Sequence, residues 1–294
     1  MGGLVILPGA VTANAVTAPA RGRLPSGRKT LTTRRRVVAA VVATAAVGSG
    51  AVLPAENGYA VRVSAAGARS LAADPAVAYV EKDQKVGLDA TQVNPPRGLD
   101  RIDQPRLPIV AVRVLGGDGS GTTSGVIAGV DWVSSHRVRP AVANLSLGGG
   151  TSTALDAAVS SSIASGVTYA VAAGNANADA ANTSPARVGA AITVGAGTSA
   201  DYRAGYSNYG SVLDLFAPGS SIPAGRHTGD TATVTLSGTS MATPHVVGAA
   251  AGYLASHPTA SPATVRGALV GGATIGVLRN IGTGSPNRLL RVVP

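Results

Sequence analysis

The sequence predicts an α/β fold with a mostly parallel sheet and helices on both faces. From residue 109 onward, short apolar segments alternate with helix-like segments, and this alternation is typical of parallel sheets. The chain has 294 residues, of which 45% are hydrophobic and 13% charged, so it has enough apolar residues for a sizeable core. It contains no cysteine, which excludes disulfide scaffolds, cysteine-ligated metal sites and cysteine nucleophiles.

Strands and helices are predicted from short runs of β-branched residues and from longer amphipathic segments. The predicted strands cover residues 109–115, 140–147, 167–173, 190–195 and 212–216. The predicted helices cover residues 124–134, 152–165, 240–256 and 261–270. Ser261 and Pro262 are favourable as the N-cap and the first position of the last helix.

Residues 1–55 are predicted to be an N-terminal extension with a secretory signal. Three consecutive arginines, Arg34 to Arg36, precede an Ala/Val run that ends at Val47. This run is too short for a transmembrane helix, so we expect a secreted, extracellular protein without stable membrane insertion after signal removal. The general secretory route and the twin-arginine route both fit this pattern.

The net charge of +10 does not predict a nucleic-acid partner. Residues 1–36 carry seven basic and no acidic side chains, so most of the excess charge lies in the predicted leader. A basic face on the folded part of the chain is therefore not expected.

Residues 56–89 form a small separate unit in the sequence. A strand is predicted at 59–63, a helix at 64–73 with Ser64 as its N-cap, and a second strand at 76–81. Residues 90–108 are rich in proline and are predicted to be irregular.

The segment Ser-Gly-Thr-Ser-Met-Ala-Thr-Pro-His-Val, residues 237–246, carries the strongest chemical signal. It places Ser240 at a helix start, where the helix N-terminus stabilises negative charge that develops near its hydroxyl. This favours a nucleophile. An N-cap serine on an ordinary small-residue helix explains the same spacing, and the spacing alone leaves both interpretations open.

Together with Ala-Ala-Gly-Asn at residues 172–175 and Asn-Leu-Ser-Leu-Gly-Gly-Gly at 144–150, this segment resembles the subtilisin-like serine proteases, and most closely their proteinase K-like branch. The resemblance covers residues 109–294 and extends over about 56–108. It implies the three-layer subtilisin-like fold, with residues 56–89 as a partial inhibitor-type propeptide and residues 90–294 as the peptidase domain.

The resemblance also implies roles for individual residues. Ser240 matches the nucleophile, and Asn175 matches the oxyanion-hole side chain, which donates together with the Ser240 backbone N–H. The substrate-binding edge strand matches Ser146, Leu147 and Gly148. A wall of the primary specificity pocket matches Ala172, Ala173 and Gly174.

The family pattern is incomplete here, because the motifs that carry the triad Asp and His in the family are absent. This matters because a serine nucleophile needs a base. The sequence before Pro108 resembles the mature N-terminus, and the sequence after it resembles a strand that follows both motifs. The peptidase domain therefore lacks an internal segment near 108–109, and its fold is incomplete relative to the family. None of the possible substitutes is expected to act as a triad residue: His136, His227, His245, His257, Asp131 and Asp214.

The expected function is a secreted serine endopeptidase acting through Ser240, with absent or very weak activity. The alternative is a non-catalytic peptide-binding relative or the product of a decayed gene. The family often binds calcium, but no ligand cluster is identifiable here, and Ser221 stands where some relatives carry an acid, so no metal is predicted. The expected partners are protein or peptide substrates and the chain's own propeptide remnant, with the protein as a monomer.

Overall fold

The structure of this chain is a computed structural model that describes residues 4–7, 41–42, 51–53, 58–74, 77, 79–87, 110–225 and 231–292. Its strands are β1 (Leu4–Leu7), β2 (Val41–Val42), β3 (Ala51–Leu53), β4 (Gly58–Arg62), β5 (Lys85–Gly87), β6 (Val110–Val112), β7 (Ser120–Thr122), β8 (Ala141–Leu145), β9 (Val167–Ala172), β10 (Ile192–Gly197), β11 (Leu215–Pro218), β12 (Ile222–Gly225), β13 (Thr233–Leu236), β14 (Thr274–Ile275) and β15 (Arg288–Leu289). Its α-helices are α1 (Ala65–Ala72), α2 (Thr123–His136), α3 (Thr153–Ala164), α4 (Thr239–Ser256) and α5 (Pro262–Gly272).

The main sheet has eight strands in the order β14-β15-β11-β10-β9-β8-β1-β6. Each neighbouring pair from β8 to β11 is parallel, and β15 continues in parallel beside β11. Strand β1 is antiparallel to both of its neighbours, and β14 is antiparallel to β15. The prediction of a mostly parallel α/β sheet is therefore confirmed.

Helices cover both faces of this sheet, as predicted. Strands β8, β9 and β10 are buried at every position, which accounts for their uninterrupted small and apolar residues. Helices α2 and α3 pack with Leu145 and Tyr169 on one face, whereas α4 and α5 pack with Val142 and Ala170 on the other. Alternate residues of one strand thus serve two separate cores.

Polar side chains fix the starts of most helices. The predicted caps Ser64 and Ser261 accept from Gly67 N and Thr264 N at 3.1 Å, and Ser152 caps α3 in the same way. Helix α4 differs, because it follows Gly238 and has no side-chain cap. The polar side chains of its first turn are therefore available for contacts with other elements.

Three predicted strands differ from the structure, and one of them, predicted at 212–216, lies at Leu215–Pro218. The strand predicted at 76–81 is wrong for its described positions 79–81, which lie in no strand; the Glu81 side chain accepts from the backbone of Thr153 at the start of α3. The strand predicted at 109–115 is shorter, since β6 pairs with β1 over Val110–Val112. The irregular segment 90–108 lies outside the described residues, as does the predicted signal run apart from β2.

Candidate active site

Ser240 lies in the first turn of α4, close to the end of β8. Its hydroxyl donates to the main-chain oxygen of Ser146 at 3.0 Å, and the Ser146 hydroxyl donates to the main-chain oxygen of Ser240 at 2.9 Å. Both residues are buried, with 3% and 2% of their surface exposed. Asn144 exchanges a further hydrogen bond with the Ser146 hydroxyl. The two predicted site residues therefore meet, 94 positions apart in the chain.

Asn175 follows β9 and reaches the same helix start. Its side-chain oxygen accepts from the backbone N–H of Thr239 at 2.9 Å, and the Thr239 hydroxyl accepts from Gly174 N at 3.1 Å. Gly174 has φ +103°, a left-handed conformation that favours glycine, and this turn brings Asn175 toward α4. Because the Asn175 side-chain oxygen accepts this hydrogen bond, its amide nitrogen is the donor end on the other side.

Ala172 is the last residue of β9, and Ala173 and Gly174 follow it, all three buried beside this helix start. Asn208 supports their loop, since its side-chain nitrogen donates to Ala173 O at 2.8 Å. Its side-chain oxygen accepts from the backbone of residues 176 and 178, at 3.0 Å each. The structure places the three predicted wall residues next to Asn175, while their role in specificity stays a prediction.

Gly148, which follows Ser146 and Leu147, is hydrogen-bonded to an extended segment of the same chain. Its N–H donates to Gly87 O and its carbonyl accepts from Gly87 N, both at 3.3 Å. On its other side, β5 pairs antiparallel with β7, so that Lys85 is opposite Thr122 and Gly87 is opposite Ser120. The end of the propeptide-like unit thus lies between two backbone edges, one of them the predicted substrate edge.

Two carboxylates attach the same unit to helix N-termini. Glu81 accepts from the backbone N–H of Thr153 at 2.9 Å, at the start of α3. Asp83 accepts from the backbone N–H of Ser124 at 2.9 Å and from its hydroxyl at 2.7 Å, at the start of α2. A carboxylate at a helix N-terminus is favourable because it satisfies unpaired N–H groups and meets the positive end of the helix dipole.

Comparison with known proteins assigns this arrangement to a family. Residues 104–287 match the model of the Subtilase family, and residues 55–89 match that of Peptidase inhibitor I9. This chain belongs to the subtilase family. The resemblance inferred from the motifs is therefore confirmed.

Among the relatives of this subtilase is the "Extracellular serine proteinase" of Thermus sp., which is 46% identical over 80% of this chain and 75% of its own length. The "Alkaline serine exoprotease A" of Vibrio alginolyticus is 39% identical over 80% of this chain and 58% of its own length. The crystal structure of a cold-adapted subtilisin-like serine proteinase matches with a TM-score of 0.60 and 53% identity. It covers 62% of this chain and 66% of that one.

The alignment with the Thermus proteinase is longer than the part of this chain that it covers. It runs over 307 positions, although 80% of the 294 residues of this subtilase is about 235, so about 70 positions have no residue here. The absence of a segment near 108–109 stays a prediction.

The described histidines are bonded within their own helices or helix ends. In His136, His245 and His257, Nδ1 lies 2.9, 2.9 and 3.1 Å from the carbonyl oxygen four residues earlier. Within the described part of the chain, no histidine is hydrogen-bonded to Ser240. His227 lies outside the described residues.

The acids that were considered as triad substitutes lie away from Ser240 in α2 and beside β11. Asp214 accepts from Arg266 at 2.5 Å and from Thr193 N at 2.9 Å, and burial raises the pKa of its carboxyl. Asp131 lies in α2. Over the same described residues there is no cluster of three or more metal-binding side chains, and no helix is long and apolar enough to cross a membrane.

Sequence reasoning missed three residues of this region, namely Asn208, Glu81 and Asp83. Asn208 has no motif of its own, and only the fold brings its amide beside residues 173–178. The two acids alternate in Glu-Lys-Asp, a pattern that places both on one side of an extended segment. That alternation is the signal from which a docking role could have been predicted.

Proposed function

We propose that this subtilase is an exported, extracellular relative of serine endopeptidases whose hydrolysis of peptide bonds through Ser240 is absent or very weak. The observation that carries this proposal is the hydrogen bond from the Ser240 hydroxyl to the carbonyl of Ser146. A main-chain carbonyl accepts a hydrogen bond but does not remove the proton at neutral pH. The hydroxyl therefore stays a weak nucleophile.

The remaining residues support binding and charge stabilisation better than proton transfer. The side-chain oxygen of Asn175 accepts from Thr239 N, so in the proposed site the amide nitrogen is the end that would donate to an oxyanion, together with the Ser240 N–H. Each such donor contributes about 10²–10³ in rate. The Gly148 edge would hold the substrate backbone, as it holds Gly87.

The expected residual activity follows from the missing base. In subtilisin itself, removal of the catalytic histidine alone lowers turnover about 2 × 10⁶-fold. The oxyanion hole and substrate binding then leave about 10³–10⁴ over the uncatalysed reaction. We infer a rate in that range at most for this chain.

Hydrolysis of casein and of a peptide p-nitrophenyl ester by the purified chain tests this proposal. Ser240→Ala is the paired variant, since it removes the nucleophile and keeps the rest of the site. We expect both proteins to release product at the same rate, at most about 10³–10⁴ above the uncatalysed reaction. A rate that is at least 100-fold higher in the unaltered chain would contradict the proposal and would require a base from elsewhere.

A non-catalytic peptide-binding function is the second candidate, favoured by the two hydrogen bonds between Gly87 and Gly148 of the predicted substrate edge. A labelled peptide of residues 79–89, added to the Asp83→Asn chain, tests it by fluorescence anisotropy. The matched control peptide carries Gly87→Pro, which removes the donor to the Gly148 carbonyl. Tighter binding of the unaltered peptide supports this function, and equal binding of the two peptides contradicts it.

A further inference from the structure

The strand β1 occupies a central position in the main sheet although it lies at the start of the chain. Its register places Leu4 opposite Leu145, Ile6 opposite Ala143 and Leu7 opposite Val142 of β8. On the other side, residues 4–6 are opposite residues 112–110 of β6. A tetrapeptide from the predicted leader is therefore flanked on both sides by strands of the peptidase domain.

The direction of β1 marks it as an addition to the parallel sheet. It is antiparallel to β6 and to β8, so these two strands run parallel to each other with one strand between them. Along the chain they are joined through β7 and α2, and within this sheet they are consecutive, as in a parallel crossover unit. Neighbouring strands are about 4.8 Å apart, so β6 and β8 cannot pair directly across the position of β1.

The flanking strands depend on this position being filled. All five residues of β8 are buried. Without β1, their N–H and C=O groups on that side would lose their hydrogen-bond partners, and water could not replace them. Among the described residues, β6 pairs with no strand other than β1. The sequence Leu-Val-Ile-Leu is suited to a strand that is covered on both faces.

We propose that the gap between β6 and β8 is a strand-acceptor site and that Leu4–Leu7 of the same chain is its occupant. The folded peptidase domain then requires the segment Leu4–Leu7. Since this strand precedes the predicted signal run of residues 37–47, signal cleavage would release it and open the sheet. Loss of the leader is therefore a conformational switch, and this inference goes beyond the proposed function and does not depend on catalysis.

Engineered cysteines test the register directly, because the chain contains none of its own. Val5 and Ala111 are opposite each other in the antiparallel pair, and cysteines at such positions are close enough for a disulfide. The double variant Val5→Cys/Ala111→Cys is expected to cross-link under mild oxidation. The control Leu4→Cys/Ala111→Cys is one residue out of register, and we expect at least tenfold less cross-link from it. Equal yields, or no cross-link in either variant, would overturn the proposal.

Proline substitution tests whether the strand is needed. Val5→Pro removes a backbone donor within β1, whereas Val11→Pro makes the same change outside that strand. We expect hydrogen exchange in Ala141–Leu145 to be at least tenfold faster in Val5→Pro and unchanged in Val11→Pro. An insoluble Val5→Pro beside a folded Val11→Pro also supports the proposal. Exchange at the unaltered rate in both variants would overturn it, whatever the result of the hydrolysis assay.

Discussion

The hydroxyls of Ser240 and Ser146 each donate to the main-chain carbonyl of the other residue, at 3.0 and 2.9 Å. This reciprocal pair joins the first turn of α4 to the end of β8 in a buried environment. It fixes the position of the Ser240 oxygen but supplies no group that can take its proton. The Ser240 hydroxyl is therefore held in a defined position, but none of its described hydrogen-bond partners is a base.

Replacing Ser146 with alanine is expected to destabilise the fold. The substitution leaves the buried carbonyl of Ser240 without this donor, and an unsatisfied buried acceptor costs about 1–3 kcal/mol. The free energy of unfolding, measured by urea denaturation, checks this. Ser160→Ala is the control, because the Ser160 hydroxyl bonds within an exposed part of α3, and we expect a change below about 0.5 kcal/mol there. Equal losses in the two variants would contradict the role of the pair.

Removing the charge of Asp83 is expected to loosen the segment 77–87. In Asp83→Asn the carboxylate that accepts from Ser124 at the start of α2 is lost, and such caps contribute about 0.5–2 kcal/mol. Limited proteolysis should therefore cut this segment several-fold faster. Asp201→Asn removes the same charge at an exposed position and should leave the cleavage rate unchanged. Identical rates in both variants would show that the carboxylate does not attach the segment.

The buried carboxyl of Asp214 should make stability depend on pH. Burial raises its pKa above the ordinary value of 3.8, although Arg266 and Thr193 oppose that shift. As the pH rises from about 3.8 through the folded-state pKa, Asp214 loses its proton in the unfolded chain at a lower pH than in the folded protein. The free energy of unfolding should then fall relative to that of Asp214→Asn.

Both proteins are denatured chemically at several pH values between about 3.5 and 7, a range that starts near the ordinary pKa of an aspartate. At each pH, the free energy of unfolding of Asp214→Asn is subtracted from that of the unaltered chain. The comparison cancels the other titrating groups that the two proteins share. A difference that rises with pH would mean that the pKa of Asp214 is lowered in the folded state, contrary to the expected direction.

Two glycines are expected to respond in opposite directions to alanine. A Cβ on Gly195 in β10 would lie 2.5 Å from the Phe216 ring and 2.9 Å from Leu213, so Gly195→Ala should cost about 1–3 kcal/mol. Gly248 lies exposed in α4 with open space around it, so Gly248→Ala should stabilise the fold by about 0.5–1 kcal/mol. Thermal unfolding midpoints check both. A stabilised Gly195→Ala would contradict the packing between β10 and β11.

The central fold could be predicted because its elements depend on local pattern. Runs such as residues 167–173 are buried on both sides, and caps such as Ser152 and Ser261 act within one turn of their own helices. The residues that the motifs single out lie close together, with Ser240 bonded to Ser146 and Asn175 bonded to Thr239, which precedes Ser240. Their catalytic roles stay predictions.

Contacts between distant segments could not be read from the sequence. The apolar composition of Leu4–Leu7 fits a leader as well as a sheet strand, so it does not distinguish the two. The strand partners of these residues lie more than 100 positions away in the chain. Glu81 is predicted to lie in a strand because its neighbours are β-formers, but it lies in none, and its side chain bonds to the helix N-terminus of α3. Tertiary contacts override local preference at both places.

The reactivity of Ser240 toward a fluorophosphonate, followed by intact mass, tests the absence of a base most directly. The reagent forms a phosphonyl adduct on a serine oxygen only when that oxygen is activated. Asp83→Asn is labelled in parallel. Its segment 77–87 is expected to be looser, so low labelling of this variant could not be explained by blocked access to Ser240. Ser240→Ala gives the background.

We predict no adduct on Ser240 in the unaltered chain or in Asp83→Asn beyond that of Ser240→Ala. A stoichiometric adduct on Ser240 in either protein would show that a base activates its hydroxyl, and would contradict the account of this site.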